Sequence, residues 1–281
     1  MSRIAVIGIV GNSVFLPVEQ FHVGGETVEA SSVHFELGGK GFNQAVAASR
    51  CGCEVSFFAV AGADAADQIS GFLEKENIEP FIVRKDEPTA FAAIVTDRQG
   101  SNRVTVYQGA QLSVDDVKIF EDSIRRADIL LLTNETSEII NIAALEIAKK
   151  YGVYCVLNPA PARKTDQYIL DNVDLFTPNE HETLGIEDKD NVIVTLGKKG
   201  CLVKQSGRII PAVSVGETVD TTGAGDTFNG ALVSMLAEGR SPEKAAAVAN
   251  RVAALGVTRR YAMSSIPTKE EIEKIIEELE N

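Results

Sequence analysis

The chain has no tryptophan, three histidines, three methionines and four cysteines in 281 residues, and aromatic residues make up only 6% of it. Cys51, Cys53, Cys155 and Cys201 are too few and too scattered for a disulfide framework in a chain this long. Cys51-x-Cys53 also lacks the spacing of a zinc knuckle, so the thiols read as reduced groups of a cytoplasmic protein. Positive charge is scarce as well: 27 Lys and Arg stand against 40 Asp and Glu, a net charge of −13. Without a clustered basic patch, that balance excludes a surface that coats nucleic acid. No stretch approaches the roughly 20 continuous apolar residues of a membrane span, so no membrane partner is expected. The run Ile4 to Val10 follows Arg3 as the core of a signal peptide would, but no small-x-small cleavage site comes after it and Asn12 interrupts early. It reads as a buried first strand.

What is present fits an ordinary globular protein of one large domain or two small ones, with 44% apolar residues, 24% charged residues and 23 glycines. Short apolar runs alternate with helical patterns, the rhythm of β-α-β units and a mainly parallel sheet. Expected buried strands are Ile4–Val10, Val55–Ala61, Ile129–Thr133, Tyr154–Leu157, Leu175–Thr177 and Val192–Leu196. Expected helices are Gly41–Cys51 closed by Gly52, Ala65–Asn77, Ser113–Arg126 opening on a capping box, and Ser137–Tyr151 closed by Gly152. Ser241-Pro242 and Thr268-x-x-Glu271 start two more. Two segments have period two instead: Glu26–Leu37, with Val33, Phe35 and Leu37 on one face and His34 and Glu36 on the other, and Thr89–Tyr107 across a turn at 97–102. They are expected to form a small separate sheet over the strand ends, where ligands of parallel sheets bind. The 15 residues between Phe176 and Val192 leave room for one short helix, placed at Glu180–Leu184.

Two glycine-rich turns carry the chemistry. Asp220-Thr-Thr-Gly-Ala-Gly-Asp226-Thr-Phe-Asn-Gly230 opens a helix whose apolar positions Phe228, Ala231, Leu232, Met235 and Leu236 run to Gly239. Such a loop offers backbone N–H groups and the positive end of a helix dipole to an anion, and it needs no lysine. Asp226 is the anomaly. A carboxylate in a first helical turn is ordinarily a dipole partner, yet behind an anion cradle it would repel phosphate unless it accepts the proton of an attacking hydroxyl. The second turn, Gly38-Gly-Lys-Gly-Phe-Asn43-Gln-Ala45, allows close approach to backbone and offers Lys40 and Asn43 as donors. Neither is a Walker loop, and no dinucleotide fingerprint follows the first strand.

In this order the two motifs resemble the ribokinase-like carbohydrate kinases, the PfkB family, and above all its ribokinase branch. The resemblance runs from about Ile4 to Pro267 and includes Leu157-Asn-Pro-Ala-Pro-Ala162, Pro178-Asn-Glu-His-Glu182, Thr195-Leu-Gly197 and Val257-Thr-Arg259. It implies one doubly wound α/β domain over 1–281, with a β-lid from insertions at about 12–37 and 89–107. The implied activity is ATP- and magnesium-dependent phosphorylation of a hydroxymethyl group on a sugar or sugar-like substrate. On that reading Asp226 is the base and the amides of Gly223, Ala224 and Gly225 are the anion hole. Asn179 and Glu182 organise magnesium and phosphates, Thr195, Gly197 and Gly200 line the nucleotide pocket, and Asn250 borders adenine. Asp220 and Thr222, with carbonyls of Gly256, Tyr261 and Ser265, match a monovalent-cation (K+) site. Gly39, Lys40, Asn43 and Glu135 match sugar-binding positions.

The chain departs from that pattern at named positions. Ser13 stands where the family has an aspartate holding two sugar hydroxyls, which weighs against plain ribose, and the neighbouring Asn12 is the candidate to compensate. Tyr261 replaces a glycine, and the connection 177–191 is short. A nucleoside kinase is the alternative, in which Phe91 would stack on a base, although aromatics more often pack and Phe91 is expected in the lid core. A non-catalytic sugar- or nucleotide-binding regulator is a second alternative, against which stands an unpaired carboxylate facing phosphate. Exposed apolar residues on the lid strands would pair two chains into a homodimer.

Overall fold

The computed structural model describes residues 1–280. From the amino end the chain forms β1 (Arg3–Ile7), β2 (Gly11–Pro17), β3 (His34–Gly38), α1 (Lys40–Arg50), β4 (Glu54–Gly62), α2 (Ala66–Lys75), β5 (Ile78–Lys85), β6 (Ala90–Thr96) and β7 (Asn102–Tyr107). It continues through α3 (Val114–Lys118), α4 (Glu121–Arg126), β8 (Ile129–Thr133), α5 (Glu138–Tyr151), β9 (Tyr154–Asn158), α6 (Gln167–Asn172) and β10 (Leu175–Phe176). The last part holds β11 (Ile193–Thr195), β12 (Cys201–Val203), β13 (Arg208–Ile210), α7 (Ala224–Ala237), α8 (Pro242–Gly256) and α9 (Lys269–Glu280).

Six strands make one sheet in the order β10-β9-β8-β1-β4-β5, with every neighbouring pair parallel. Strands covered on both faces need apolar residues at every position, and this is why they stand out as continuous runs. Along β1, Ile4 and Val6 enter one core while Ala5 and Ile7 enter the other; along β8, Ile129 and Leu131 are divided from Leu130 and Leu132 in the same way. The first core is closed by residues of α1, α2, α7, α8 and α9, and the second by α3 to α6. The fold is therefore the doubly wound α/β class expected. After β5 the chain returns to place β8 beside β1 on the side away from β4, so strand order reverses between β1 and β8. The crevice outside the carboxyl ends of such a pair is the default ligand site of an open parallel sheet.

The small sheet has the order β3-β2-β6-β7, with β2 antiparallel to β3 and parallel to β6. A third, antiparallel sheet β11-β12-β13 follows the end of β10, joined there by parallel bridges Phe176↔Val192 and Asn179↔Thr195, and shares the first core through Ile193, Cys201 and Val203. No described helix is long and apolar enough to cross a membrane.

Several sequence expectations are corrected. The strand read over Glu26–Leu37 exists only as β3, because residues 26–33 find no ladder beyond the single bridge Val18↔Ala30. The partner of β3 is β2, a strand whose mixed Gly11-Asn-Ser-Val-Phe-Leu-Pro17 pattern gave no signal. Val33 and Phe35, read as one apolar face with Leu37, are 56% and 68% exposed, whereas Glu36 is buried. The single helix expected over Ser113–Arg126 is two. The chain turns at Ile119-Phe120 to bury the Phe120 ring against Phe58 and Phe81, leaving Ile119 exposed. The helix placed at Glu180–Leu184 is a pair of turns, and Val192–Leu196 contributes to the antiparallel sheet rather than extending the parallel one. Phe91 is 40% exposed and is not core. The capping boxes at Ser113 and Thr268 form as expected.

Candidate active site

The site begins where β1 meets α1. A Cβ added to Gly8 or to Gly41 would lie 2.6 Å from the other's Cα, so only glycines let the start of α1 sit on the end of β1. Gly39, the residue before the helix, has φ 126, a conformation L side chains avoid. This turn aims the Lys40 N–H at Glu135, just past β8, whose Oε2 accepts it at 2.6 Å. Glu135 is half-buried; loss of solvent pushes its carboxyl up to about 7, with the Lys40 ammonium pulling it down and Asp226 pushing it further up. Lys40 is held more firmly protonated than an ordinary lysine by Asp226 first, then by Glu135 and Glu182, against the cost of its own burial. One ammonium is thus shared among three carboxylates drawn from distant parts of the chain.

Asp226 occupies the first turn of α7, which opens on Gly223 at φ 75. Its Oδ1 accepts from Gln44 Nε2 at 3.0 Å and its Oδ2 from Asn43 Nδ2 at 3.1 Å. The carboxylate is therefore paired, contrary to the expectation of an isolated one, and its presence alone does not separate a kinase from a pure binder. Gln44 also donates to Asn158 Oδ1 at 3.1 Å, and Asn158 donates to the Thr177 carbonyl at 2.7 Å, tying the aspartate to the ends of β9 and β10. Gln44 and Asn158 were not foreseen as site residues. The one available sign was two amide side chains in otherwise apolar, buried stretches, since buried amides need partners. Asn43 Oδ1 and Gln44 Oε1 remain buried without a partner among the described residues. Of the three amides read as an anion hole, that of Ala224 donates to Thr221 O at 3.2 Å, while those of Gly223 and Gly225 have no partner among the described residues.

Beside this turn, residues 220–222 meet the segment 256–265. Asp220 Oδ1 accepts from the Thr222 amide at 2.9 Å and the Thr222 hydroxyl at 2.7 Å, and Oδ2 accepts from the Tyr261 amide at 2.9 Å. A Cβ on Gly256 would lie 3.6 Å from Ser265 O and 3.8 Å from Thr227 Oγ1, so these residues converge. The Thr227 hydroxyl is buried and has no partner among the described residues. Tyr261 takes the left-handed φ of 74 that a glycine would adopt freely, and its ring stacks on His34 at 3.8 Å with Phe15 edge-on at 5.1 Å.

On the remaining side, Glu182 Oε2 accepts the Asn179 amide at 3.0 Å and Asn179 Oδ1 accepts the His181 amide at 2.8 Å, a closed turn bridged to Thr195. Gly197 and Gly200 both have positive φ, and a side chain at Gly200 would strike the Ile210 carbonyl. Asn250 Nδ2 donates to Ile210 O at 3.0 Å and Pro211 O at 3.3 Å, fastening the antiparallel sheet to α8. Ser13 is buried on β2 opposite Glu36, whereas Asn12 pairs with Leu37 and Phe91. Successive strand residues face opposite ways, so Asn12 does not take the place of Ser13. A cavity of about 250 Å³ lies at the other pole, lined by Arg3, Glu54, Ser56, Asn77, Glu79 and Arg126, and no residue of the site reaches it.

Unpaired amides at a helix start, a tethered carboxylate behind them and a lysine among carboxylates at the switch point suit an enzyme that moves a phosphoryl group onto a hydroxyl. The chain matches the pfkB family of carbohydrate kinases over residues 1–269 and belongs to that family. It is 34% identical to the ribokinase of Haemophilus influenzae, across 98% of each chain. Among solved structures, a ribokinase from Thermotoga maritima superposes with TM-score 0.86 at 34% identity, covering 99% of this chain and all of that one. A ribokinase of Arabidopsis thaliana complexed with ribose and ATP gives TM-score 0.84 at 26% identity, covering 98% and 99%.

Proposed function

We propose that the protein uses ATP to phosphorylate a hydroxymethyl group of a sugar or sugar-like substrate. The observation that carries the reading is Asp226, held by amides of Asn43 and Gln44 at 3.1 and 3.0 Å directly behind the unpartnered amides of Gly223 and Gly225. In the reaction the hydroxymethyl oxygen attacks the γ-phosphorus, its proton passes to a carboxylate oxygen of Asp226, and the bond from γ-phosphorus to the ADP oxygen breaks. The two amides stabilise charge on the phosphoryl oxygens. Gly39, Lys40, Asn43 and Glu135 hold the sugar, with Ser13 contributed by the small sheet while Asn12 faces away; the buried, unpartnered Asn43 Oδ1 suits a substrate hydroxyl. Thr195, Gly197, Gly200 and Asn250 border the nucleotide.

The acidic groups fit a magnesium ion shared with substrate rather than one caged by protein. Among the described residues no three His, Cys, Asp or Glu groups could hold a metal alone, and Mg²⁺ characteristically takes one or two carboxylates plus phosphates and waters. Glu182, with Asn179 shaping its turn, would hold it, and the ion would supply positive charge to offset the charge developing on the phosphates. A monovalent cation fits beside Asp220 and Thr222, where the unpartnered Thr227 hydroxyl lies buried near Gly256 and Ser265, with the Tyr261 carbonyl completing the set. We further propose that residues 1–281 work as one domain whose small sheet closes as a lid and excludes water. Phe35, Phe91 and Tyr107, exposed on one face of that sheet, would pair two chains in a homodimer. The protein would act in the cytoplasm. A nucleoside is the second substrate class, favoured by the exposed Phe91 ring beside Asn12.

The test is ATP consumption across pentoses, hexoses and nucleosides, with Asp226→Asn alongside. Turnover with a sugar is expected, falling at least 10²-fold in the variant, the lower end of what a positioned base supplies, with ATP affinity kept. Wild-type turnover in Asp226→Asn refutes the role of the base, and binding of one ligand without turnover of any marks a regulator.

A further inference from the structure

Glu36, opposite Ser13 in the β2–β3 ladder, has no part in the proposed chemistry, yet it is one of the most heavily ligated carboxylates in the protein. Its side chain is 2% exposed. Oε1 accepts from the backbone amides of Ala262 at 3.0 Å and Met263 at 3.2 Å; Oε2 accepts from the Ser264 amide at 3.1 Å and the Ser264 hydroxyl at 2.7 Å. His34 Nε2 lies 3.4 Å from the same oxygen. Three successive amides converging on one point form an anion nest, and here the anion is supplied by β3 of the small sheet.

The nest segment also touches the phosphate-transfer turn. A Cβ on Gly223 would lie 3.0 Å from Ala262 Cα and 3.1 Å from Ala262 O, so the residue that caps α7 rests directly on the backbone that Glu36 grips. One residue earlier, Tyr261 stacks its ring on His34 of β3 while its amide donates to Asp220. Two short connections thus run from one strand of the small sheet to residues 220–223: Glu36 through Ala262 to Gly223, and His34 through Tyr261 to Asp220. Each is a direct packing or hydrogen-bond contact.

We propose that Glu36 is a positioning residue that latches the small sheet to the anion-hole turn, so that the Gly223 and Gly225 amides hold their geometry only while β3 is seated. This rests on the reading of residues 223–225 as the phosphate site. The latch makes the coupling reciprocal: a substrate that seats the sheet tightens nucleotide binding, and nucleotide in turn holds the sheet down. Ionised acceptors give the stronger hydrogen bonds, and a glutamine here would present its own N–H₂ to backbone donors, so the side chain's charge is part of the device.

The test compares Glu36→Gln and Glu36→Ala with the wild type by amide hydrogen exchange on the unliganded full chain and by titration with a non-hydrolysable ATP analogue in excess Mg²⁺. Exchange across 262–264 and across 221–225 should rise at least tenfold, and the analogue's Kd at least fivefold, while the central strands β1 and β8 exchange as in the wild type. Faster exchange at 262–264 with 221–225 and the Kd unchanged overturns the proposal, as does uniform acceleration throughout the core. If neither variant folds, Glu36→Asp, which keeps the charge but shortens the reach, is judged by the same criteria. A wild type that does not bind the analogue refutes the phosphate-site reading instead, and the exchange at 221–225 still decides whether the latch exists.

Discussion

Gly230 offers a direct test of how α1 and α7 hold the aspartate. A methyl group at this position would lie 2.5 Å from Ala47 Cβ, 2.5 Å from the Gln44 carbonyl oxygen and 2.9 Å from the Ala48 nitrogen, all on α1. Carbon atoms in contact prefer about 3.5–4.0 Å, so Gly230→Ala must force the two helices apart by roughly 1 Å. Alanine gains about 1 kcal/mol of helix propensity over glycine, while overpacking typically costs 1–3 kcal/mol and stretching the Gln44 to Asp226 bond removes about another 1. The balance is a loss of about 1–3 kcal/mol, and at roughly 2–4 °C per kcal/mol for a domain of this size Tm falls by several degrees. The same movement shifts the amide tethers of Asp226. A 1 Å misplacement of catalytic apparatus can cost on the order of 10²-fold, so kcat should fall far more than the folded fraction does. Thermal unfolding followed by a coupled ADP-release assay at a temperature where the variant stays folded measures both. A variant with raised Tm and unchanged kcat would show that propensity outweighs the clash and that helix spacing does not set the aspartate's position.

Two further outcomes are expected. Burial raises the Glu135 carboxyl from its ordinary 4.5 to about 7, so the protonated form is favoured in the folded chain. Its stabilising contribution is complete below about pH 4.5 and lost as pH rises towards 7. Glu135→Gln, neutral throughout, should flatten the dependence of the urea midpoint on pH between 4.5 and 7, and an unchanged slope refutes the shift. Tyr261→Gly relieves a left-handed backbone worth about 1–3 kcal/mol but forfeits two ring contacts of about 0.5–1.5 kcal/mol each, so stability should stay within about 2 kcal/mol of wild type. Its amide still reaches Asp220, so turnover should persist; a loss above about 3 kcal/mol by urea unfolding would mean the ring carries more than the backbone stores.

The parts of this molecule that were legible are those in which one residue's environment follows from its near neighbours. Strands of the large sheet are enclosed on both faces and therefore read as unbroken apolar runs, and the helices between them carry caps at Ser113, Ser241 and Thr268 that act within one turn. The β2 strand was illegible because its stability comes from partners on both sides, β3 and β6, rather than from its own alternation. The alternation puts Glu36 on the face opposite Phe35 and Leu37 without marking it as buried, since what covers it arrives from residues 262–264, 226 positions or more along the chain. The glycine-rich turns announced the candidate site, but the pairing of Asp226 with Asn43 and Gln44 was hidden for the same reason of distance. A local pattern records helix and strand periods; it does not record which far segment completes a hydrogen bond.

The separation of Gln44 from Asp226 by 182 residues also sets a schedule for synthesis. At roughly 5–20 residues per second, α1 leaves the ribosome about 10–40 s before the helix that covers it exists. During that interval Ala47, Ala48 and the two amides of Asn43 and Gln44 have no partner helix, and β1 still waits for β8 on its open side. The nascent chain therefore carries an unpaired central strand edge until β8 is made near its midpoint, and an exposed small-residue helix face until its last quarter is made. The same arrangement that draws the reacting groups together in the finished protein makes the half-made one a client for chaperones.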